Sequence, residues 1–230
     1  MKDRFNLLDI FVVVEDLKIF NGLRLNNIYD IDSKTYLLKF DDFSHKKKRF
    51  IIIKSGQFIY NIFKPPTERK RLPTSFCMKL RKHIKNKRCK ELKVVKKDRA
   101  IILIFGYGEH EYKLIIELFS CGNIILCNKN DIIMTLLRTH VYQNGNSILV
   151  GKSYPYDQLN DNYPDSNIEE ELNMYKQSPC AYYNNKRISF NTSLEKPFHI
   201  SNSFTDALNN KIKIKTSKII KKKKNKIISN

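Results

Sequence analysis

The chain has 230 residues, 41% of them hydrophobic, enough for one ordinary domain of roughly 150 residues with a further segment behind it. Its 43 Lys and Arg stand against 23 Asp and Glu, a net charge of +20. Such an excess calls for a polyanionic partner, because each phosphate met by a cation releases condensed counterions.

The charge is unevenly placed. Residues 64–99 carry 15 basic and 3 acidic residues, and residues 181–230 carry 12 and 2. A base-composition bias that favours Lys would spread more evenly. No run approaches the roughly 18 apolar residues of a membrane span. The early apolar run stops at Glu15-Asp16 and is not a signal peptide. Five cysteines without a C-x-x-C pair argue for reduced thiols in an intracellular protein, with no zinc site and no disulfide framework, and a soluble, cytoplasmic protein is expected.

Along the chain, NLLDIFVVVEDLKIF (6–20) keeps its apolar residues near helical spacing. Asn6 caps the first turn, and Asp9 falls three residues later, where its carboxylate reaches back to the cap amide. Gly22 ends the helix. The period then changes to two: LRLNNIYDI and KTYLLKF read as strands joined at Asp32-Ser33, and RFIIIKS and QFIYNIF as strands around Gly56. FKPPTERKRLP (63–73) is a break.

TSFCMKLRKHIKNKRCK (74–90) reads as one helix, capped by Thr74 or Ser75, with Phe76, Leu80 and Ile84 as its apolar stripe. Lys79, Arg81, Lys82, Lys85, Lys87 and Arg88 fill the remaining faces and are candidate phosphate-binding cations. No aromatic residues are clearly interleaved with them, so backbone and shape recognition is expected rather than base readout.

Strands resume at ELKVV and AIILIFGYG and continue through HEYKLIIELF and GNIILCN, with Gly106, Gly108 and Cys121-Gly122 as turns. DIIMTLLR (131–138) reads equally as strand or helix. Beyond Tyr154-Pro155 the chain turns to Asn, Asp, Ser, Tyr and Lys. It closes on KIIKKKKNKIISN, a solvated charge run. The expected organisation is a folded α+β region over 1–155, with one helix at each end of the first strand group, and a weakly ordered basic tail over 156–230.

Two motifs are removed by their context. GNSILVGKS (145–153) has Asn146 where a phosphate-binding loop needs Gly, and Tyr154-Pro155 blocks the helix that must follow. The five histidines show no metal-ligand spacing, and no Gly-rich elbow surrounds a serine. No catalytic residue, metal or cofactor is expected. Asp98-Arg99, between two lysines and an apolar run, reads on residues alone as either a surface pair at a strand start or a recognition pair.

The opening MKDRF-x-x-x-D, RLNNIYDIDSKTYLLKF (24–40), LPTSFCMKLRKHIKNKR (72–88), DRAIILIF (98–105), YKLIIELFSCGNIILCNKNDIIMTLLR (112–138) and GKSYP (151–155) occur in the order and separations of a known domain. Together they resemble the NFACT-N domain of the NEMF, RqcH and fibronectin-binding protein A family. The resemblance implies a two-sheet β-sandwich or pseudobarrel flanked by helices, similar to the N-terminal domain of formamidopyrimidine-DNA glycosylases. It also implies a role in ribosome-associated quality control. Members bind the large ribosomal subunit, through rRNA, when it carries stalled peptidyl-tRNA, and recruit aminoacyl-tRNA for untemplated extension of the nascent chain.

The family's Asp and Asp-Arg pair, implicated in tRNA recruitment, fall on Asp9, Asp98 and Arg99. A Listerin-type ubiquitin ligase complex is a further implied partner, through a coiled coil that is not evident after residue 155. PFHISNSFTDALNNKI (197–212) resembles the segment leading into that coiled coil. Two alternatives stand beside this reading: an RNA-binding fragment without a tRNA role, and a glycosylase-like lesion hydrolase. The second is disfavoured by Lys2-Asp3 where such glycosylases carry Pro-Glu.

Overall fold

The computed structural model describes residues 4–67, 72–95, 98–141, 147–159, 166–183, 188–190 and 199–210. Lys2-Asp3, the basic pieces 68–71 and 96–97, position 146 of the phosphate-loop decoy and the run 211–230 lie outside them.

Helix α1 (Leu7–Leu17) begins with the expected reciprocal cap. The Asp9 amide donates to Asn6 Oδ1 at 2.8 Å, and the Asn6 amide donates to Asp9 Oδ2 at 2.7 Å. Val12, Val13 and Val14 are β-branched and poor helix formers. They are tolerated because they are buried, with Ile10 and Leu17, where α1 packs against the strands Phe58–Asn61 and Cys89–Val94. A short 3₁₀ turn, Lys18–Phe20, carries the chain to Gly22, whose φ of +82° is glycine-like.

Four antiparallel strands follow as a meander: β1 (Arg24–Asp30), β2 (Thr35–Asp42), β3 (Lys47–Lys54) and β4 (Phe58–Asn61). Helix α2 (Ser75–Ile84) then leads into a second meander: β5 (Cys89–Val94), β6 (Ala100–Phe105), β7 (Tyr112–Glu117), β8 (Asn123–Asn128) and β9 (Ile133–Leu136). DIIMTLLR is therefore a strand. The order confirms an α+β fold with a helix at each end of the first strand group.

The central strand β6, AIILIF, is buried on both faces. One face joins Ala100, Ile102 and Ile104 to Ile115, Ile125, Ile133, Ile148, Tyr154 and Leu159. On the other, Phe105 stacks on Phe40 of β2 at 6.3 Å between ring centroids, and Phe40 meets Phe20 edge-on at 5.0 Å. The two sheets thus face each other through aromatic and aliphatic side chains, each worth roughly 1.5–3 kcal/mol of burial.

The sheets are tied at both ends. At one end the Gly22 amide donates to Cys89 O, and the Cys89 and Leu25 amides donate to Leu23 O and Lys87 O. At the other end the Gly56 turn lies directly on the β7–β8 turn, and the Gly56 amide donates to Glu117 O at 3.1 Å. A Cβ on Gly122 would sit 1.8 Å from Gly56 N, so only glycine fits there.

The described residues of 4–159 form one compact unit, and those of 166–210 a second. The second contains α3 (Ser166–Gln177) and a three-stranded antiparallel sheet of β12 (Ala181–Tyr183), β13 (Ile188–Ser189) and β14 (His199–Ser201). Its remaining described element is a helical stretch over 204–210. Phe190 packs between Tyr175 and Phe204, and the Tyr175 hydroxyl accepts the Phe204 amide at 2.8 Å. Two short strands of the first unit, β10 (His140–Val141) and β11 (Ser147–Ile148), pair with each other.

Candidate nucleic-acid interface

Helix α2 covers the free edge of β1. Thr74 caps it, accepting the Cys77 amide, and the Thr74 amide donates to Asp30 Oδ2 at 2.8 Å. Phe76, Cys77, Leu80 and Ile84 are buried against the sheet. Arg81, expected among the solvent-facing cations, is half-buried instead. Its Nε donates to Ile28 O at 2.7 Å, and its guanidinium lies 5.6 Å from the centre of the Tyr29 ring. The arginine, with the Cys77 thiol at 3.6 Å, satisfies a carbonyl on the edge of the sheet.

The helix also ends earlier than its sequence suggests. Lys85 is extended (ψ 140°) and Asn86 takes a left-handed φ of +67°. The backbone from 86 to 89 is then diverted to pair with Leu23 and Leu25. Pairing with the β1 end outweighs the helical pattern of KNKRCK, because the Leu25 amide and the Leu23 and Leu25 carbonyls would otherwise be left on an open edge. Lys87 and Arg88 are therefore beyond the helix. Lys87 Nζ lies 5.3 Å from the Tyr112 ring centre, and Arg88 Nη1 donates to Gly22 O at 2.9 Å. Lys79, Lys82 and Lys85 remain exposed in a row, with i, i+3, i+6 spacing along one face of the helix and its end.

Aromatic rings do accompany this surface, contrary to the local sequence. Tyr29 from β1, Tyr112 from β7 and Tyr107 from the β6–β7 turn meet Arg81, Lys87 and Lys90 respectively. They come from distant segments, so a reading of residues 74–90 alone misses them. His83 packs beside Tyr112, and burial, with Lys82 and Lys87 close by, holds its pKa below the usual imidazole range.

Asp98 and Arg99 occupy the β5–β6 turn. The Asp98 carboxylate accepts the Arg99 amide at 2.6 Å, and the turn is closed by the Val95 amide donating to Ala100 O. Three backbone bonds connect this turn to the start of α1. Leu118 N–H donates to Arg99 O, Gly56 N–H to Glu117 O, and Phe5 N–H to Gln57 O. These bonds link the Asp98-Arg99 turn, through the end of β7 and the β3–β4 turn, to Phe5 just ahead of α1. Asp9 is only 1% exposed and serves the helix cap, so its first role is structural.

Behind the turn lies a residue that the sequence reading passed over. Glu117 is buried, accepts the Tyr154 hydroxyl at 2.9 Å, and has its pKa pushed up to about 7. Burial is the main cause, and the Asp98 charge adds to it, while the Tyr154 bond and Arg138 oppose. Its signal was a single carboxylate inside the apolar run KLIIELF. Among the described residues, no group of three or more His, Cys, Asp or Glu is placed to hold a metal ion. No helix among them is long and apolar enough to cross a membrane.

The profile of the family described as "NFACT N-terminal and middle domains" matches residues 6–230. The chain is 36% identical over 158 residues to "Ribosome quality control complex subunit NEMF homolog" of Drosophila melanogaster, covering 68% of this chain and 16% of that protein. It is 36% identical over 162 residues to the human "Ribosome quality control complex subunit NEMF", covering 68% and 14%. To "Ribosome quality control complex subunit 2" of Saccharomyces cerevisiae it is 42% identical over 145 residues, covering 60% and 13%. The chain therefore spans about a sixth or less of the length of these relatives.

Among solved structures, the fibrinogen binding protein from Staphylococcus aureus superposes with a TM-score of 0.64 at 15% identity, over 89% of this chain and 98% of that one. The N-terminal part of the fibronectin/fibrinogen-binding protein from Streptococcus suis gives 0.58 at 20% identity, over 70% and 62%. At these identities the structures establish the fold alone.

Proposed function

The chain belongs to the NFACT N-terminal family, and on that premise we propose that it is an RNA-binding factor of ribosome-associated quality control. It acts by binding rather than by catalysis, in the cytoplasm. Its partner is the large ribosomal subunit carrying stalled peptidyl-tRNA, and it recruits aminoacyl-tRNA for untemplated tailing of the nascent chain. The names of the curated relatives support the process. The observation that carries the binding reading is the exposed row Lys79, Lys82 and Lys85 on an edge helix. Among the described residues these ammonium groups hold no structural bond that a phosphate would have to displace.

The geometry supports a division of labour. The α2 cations attract phosphate wherever it is, while Asp98 and Arg99 form a compact donor and acceptor pair at one end. Arg99 meets a tRNA phosphate or base edge, and the carboxylates orient it.

Salt dependence tests the first half. Replacing Lys79, Lys82 and Lys85 with Ala should flatten the slope of log affinity for large-subunit particles against log salt by about two to three, at roughly 0.7–0.9 per phosphate contact. The fold should be unchanged, since all three are exposed. A slope equal to that of the unaltered protein would show that α2 faces away from RNA.

A further inference from the structure

The β2–β3 hairpin, at the other end of sheet one from Gly56, closes over Phe43-Ser44-His45-Lys46. Phe43 at its tip is 63% exposed. Single exposed apolar side chains are ordinary on protein surfaces, so exposure alone means little. What sets Phe43 apart is the way the tip is built around it.

Asp42 is buried, and its carboxylate gathers the tip. It accepts the His45 amide at 3.1 Å, the His45 ring Nδ1 at 3.0 Å and Arg49 Nε at 2.6 Å. The Arg49 bond, foremost among these contacts, holds the Asp42 pKa well below the usual carboxylate range. Asp41 is likewise engaged, by Lys48 and by the Asn26 amide group. Both acidic residues of the tip are thus neutralised within the hairpin. Lys46 and Lys47 are left exposed at the same tip as Phe43, with Lys46 held at a left-handed φ of +49°. The loop presents an aromatic face and two ammonium groups in a conformation fixed in advance, which lowers the entropy cost of binding.

The neighbourhood has the same sign. Arg24 stands opposite Asp41 in the β1–β2 register and forms an isolated bridge with Arg88, so the tip continues the basic end reached by α2 and Lys85. An exposed ring flanked by ammonium groups fits a nucleotide whose base is unpaired, because the ring stacks on the base and the cations meet the phosphates on either side. A duplex offers no free base face to it.

We infer that the β2–β3 tip is a second RNA contact, in which an unpaired base stacks on Phe43 while the adjoining phosphates meet Lys46 and Lys47. It rests on the reading of this chain as RNA-binding but uses residues distinct from those of α2 and from Asp98-Arg99.

The test is a titration of the full chain with a short labelled oligouridylate and with a duplex RNA of the same length, read by fluorescence anisotropy. Phe43→Ala should weaken single-strand binding roughly fivefold to a hundredfold, with the salt slope and melting temperature unchanged. Phe43→Tyr should restore it, and duplex binding should be indifferent to either change. Lys46→Ala with Lys47→Ala should instead lower the single-strand salt slope by about 1.4, at roughly 0.7 per contact. Equal affinities of the unaltered protein and Phe43→Ala for the single strand would overturn the inference while leaving the α2 reading intact. Failure of the unaltered chain to bind either RNA would overturn both. Loss of co-flotation with phosphatidylserine vesicles in Phe43→Ala, at unchanged RNA affinity, would assign the tip to a membrane surface and likewise overturn it.

Discussion

Gly122→Ala should leave little folded protein. Its new Cβ would lie 1.8 Å from Gly56 N and 2.2 Å from Gly56 Cα, both backbone atoms that no rotamer change can move, and the residue has a φ of +72°. The contact cannot relax without pulling the Gly56 turn off Glu117, which opens the end of the fold where the two sheets meet. The cost should exceed about 4 kcal/mol, in the range reserved for severe core defects, against a domain stability of roughly 5–15 kcal/mol. Gly108→Ala is the control: it has a φ of +58° but nothing within 4 Å of the added Cβ, so it carries only the backbone cost, about 1 kcal/mol. Denaturant titration followed by circular dichroism distinguishes them. Equal midpoints for the two variants would refute the close approach of the turns.

Glu117→Gln should do the opposite, and only at high pH. The unfolded chain releases this proton near 4.5, whereas burial delays release to about 7 in the folded state. Between those values the native state holds more protons, so the stability contribution is full below 4.5 and lost as pH rises through 7. A glutamine keeps an oxygen for the Tyr154 hydroxyl and cannot ionise. At pH 8 the variant should therefore be more stable by on the order of 1–3 kcal/mol, and near pH 4.5 the two proteins should melt together. A difference in melting temperature that does not vary with pH would show that Glu117 ionises freely.

Much of the first unit was legible because its local signals agree with its tertiary role. The Asn6–Asp9 box, the Asp32-Ser33 and Gly56 turns and the unbroken run of β6 each point to the element that forms. The end of α2 was not legible. Its residues favour a helix, and what stops it is pairing with Leu23 and Leu25, more than sixty positions away. The same limit hid the tyrosines that meet Arg81, Lys87 and Lys90, since their positions on one surface depend on sheet topology. Glu117 was visible as a lone carboxylate in an apolar run, but its nearness to Asp98 needed the register of β6 and β7. Beyond residue 155 no strong period appears, and the small sheet of β12, β13 and β14 is built from strands of two or three residues, too short to carry one.

The proposed recruitment of tRNA by Asp98 and Arg99 can be tested on ribosomal particles. Asp9→Ala is a poor probe, because removing a capping carboxylate destabilises α1 by a fraction to about 2 kcal/mol; Asp9→Asn keeps part of the cap. The more direct measurement is aminoacyl-tRNA recovered with large-subunit particles purified through the tagged protein, compared between the unaltered chain and the Asp98→Ala, Arg99→Ala double variant. The pair is half-buried, with a short local bond from the Arg99 amide to the Asp98 carboxylate, so the change should cost about 1 kcal/mol of stability and leave particle binding to the α2 cations. Recovery of tRNA should nevertheless fall at least about tenfold, the equivalent of one lost charge-assisted contact of roughly 1.4 kcal/mol. Particles that retain the unaltered amount of tRNA with the double variant would contradict the recruitment role of this end of the fold.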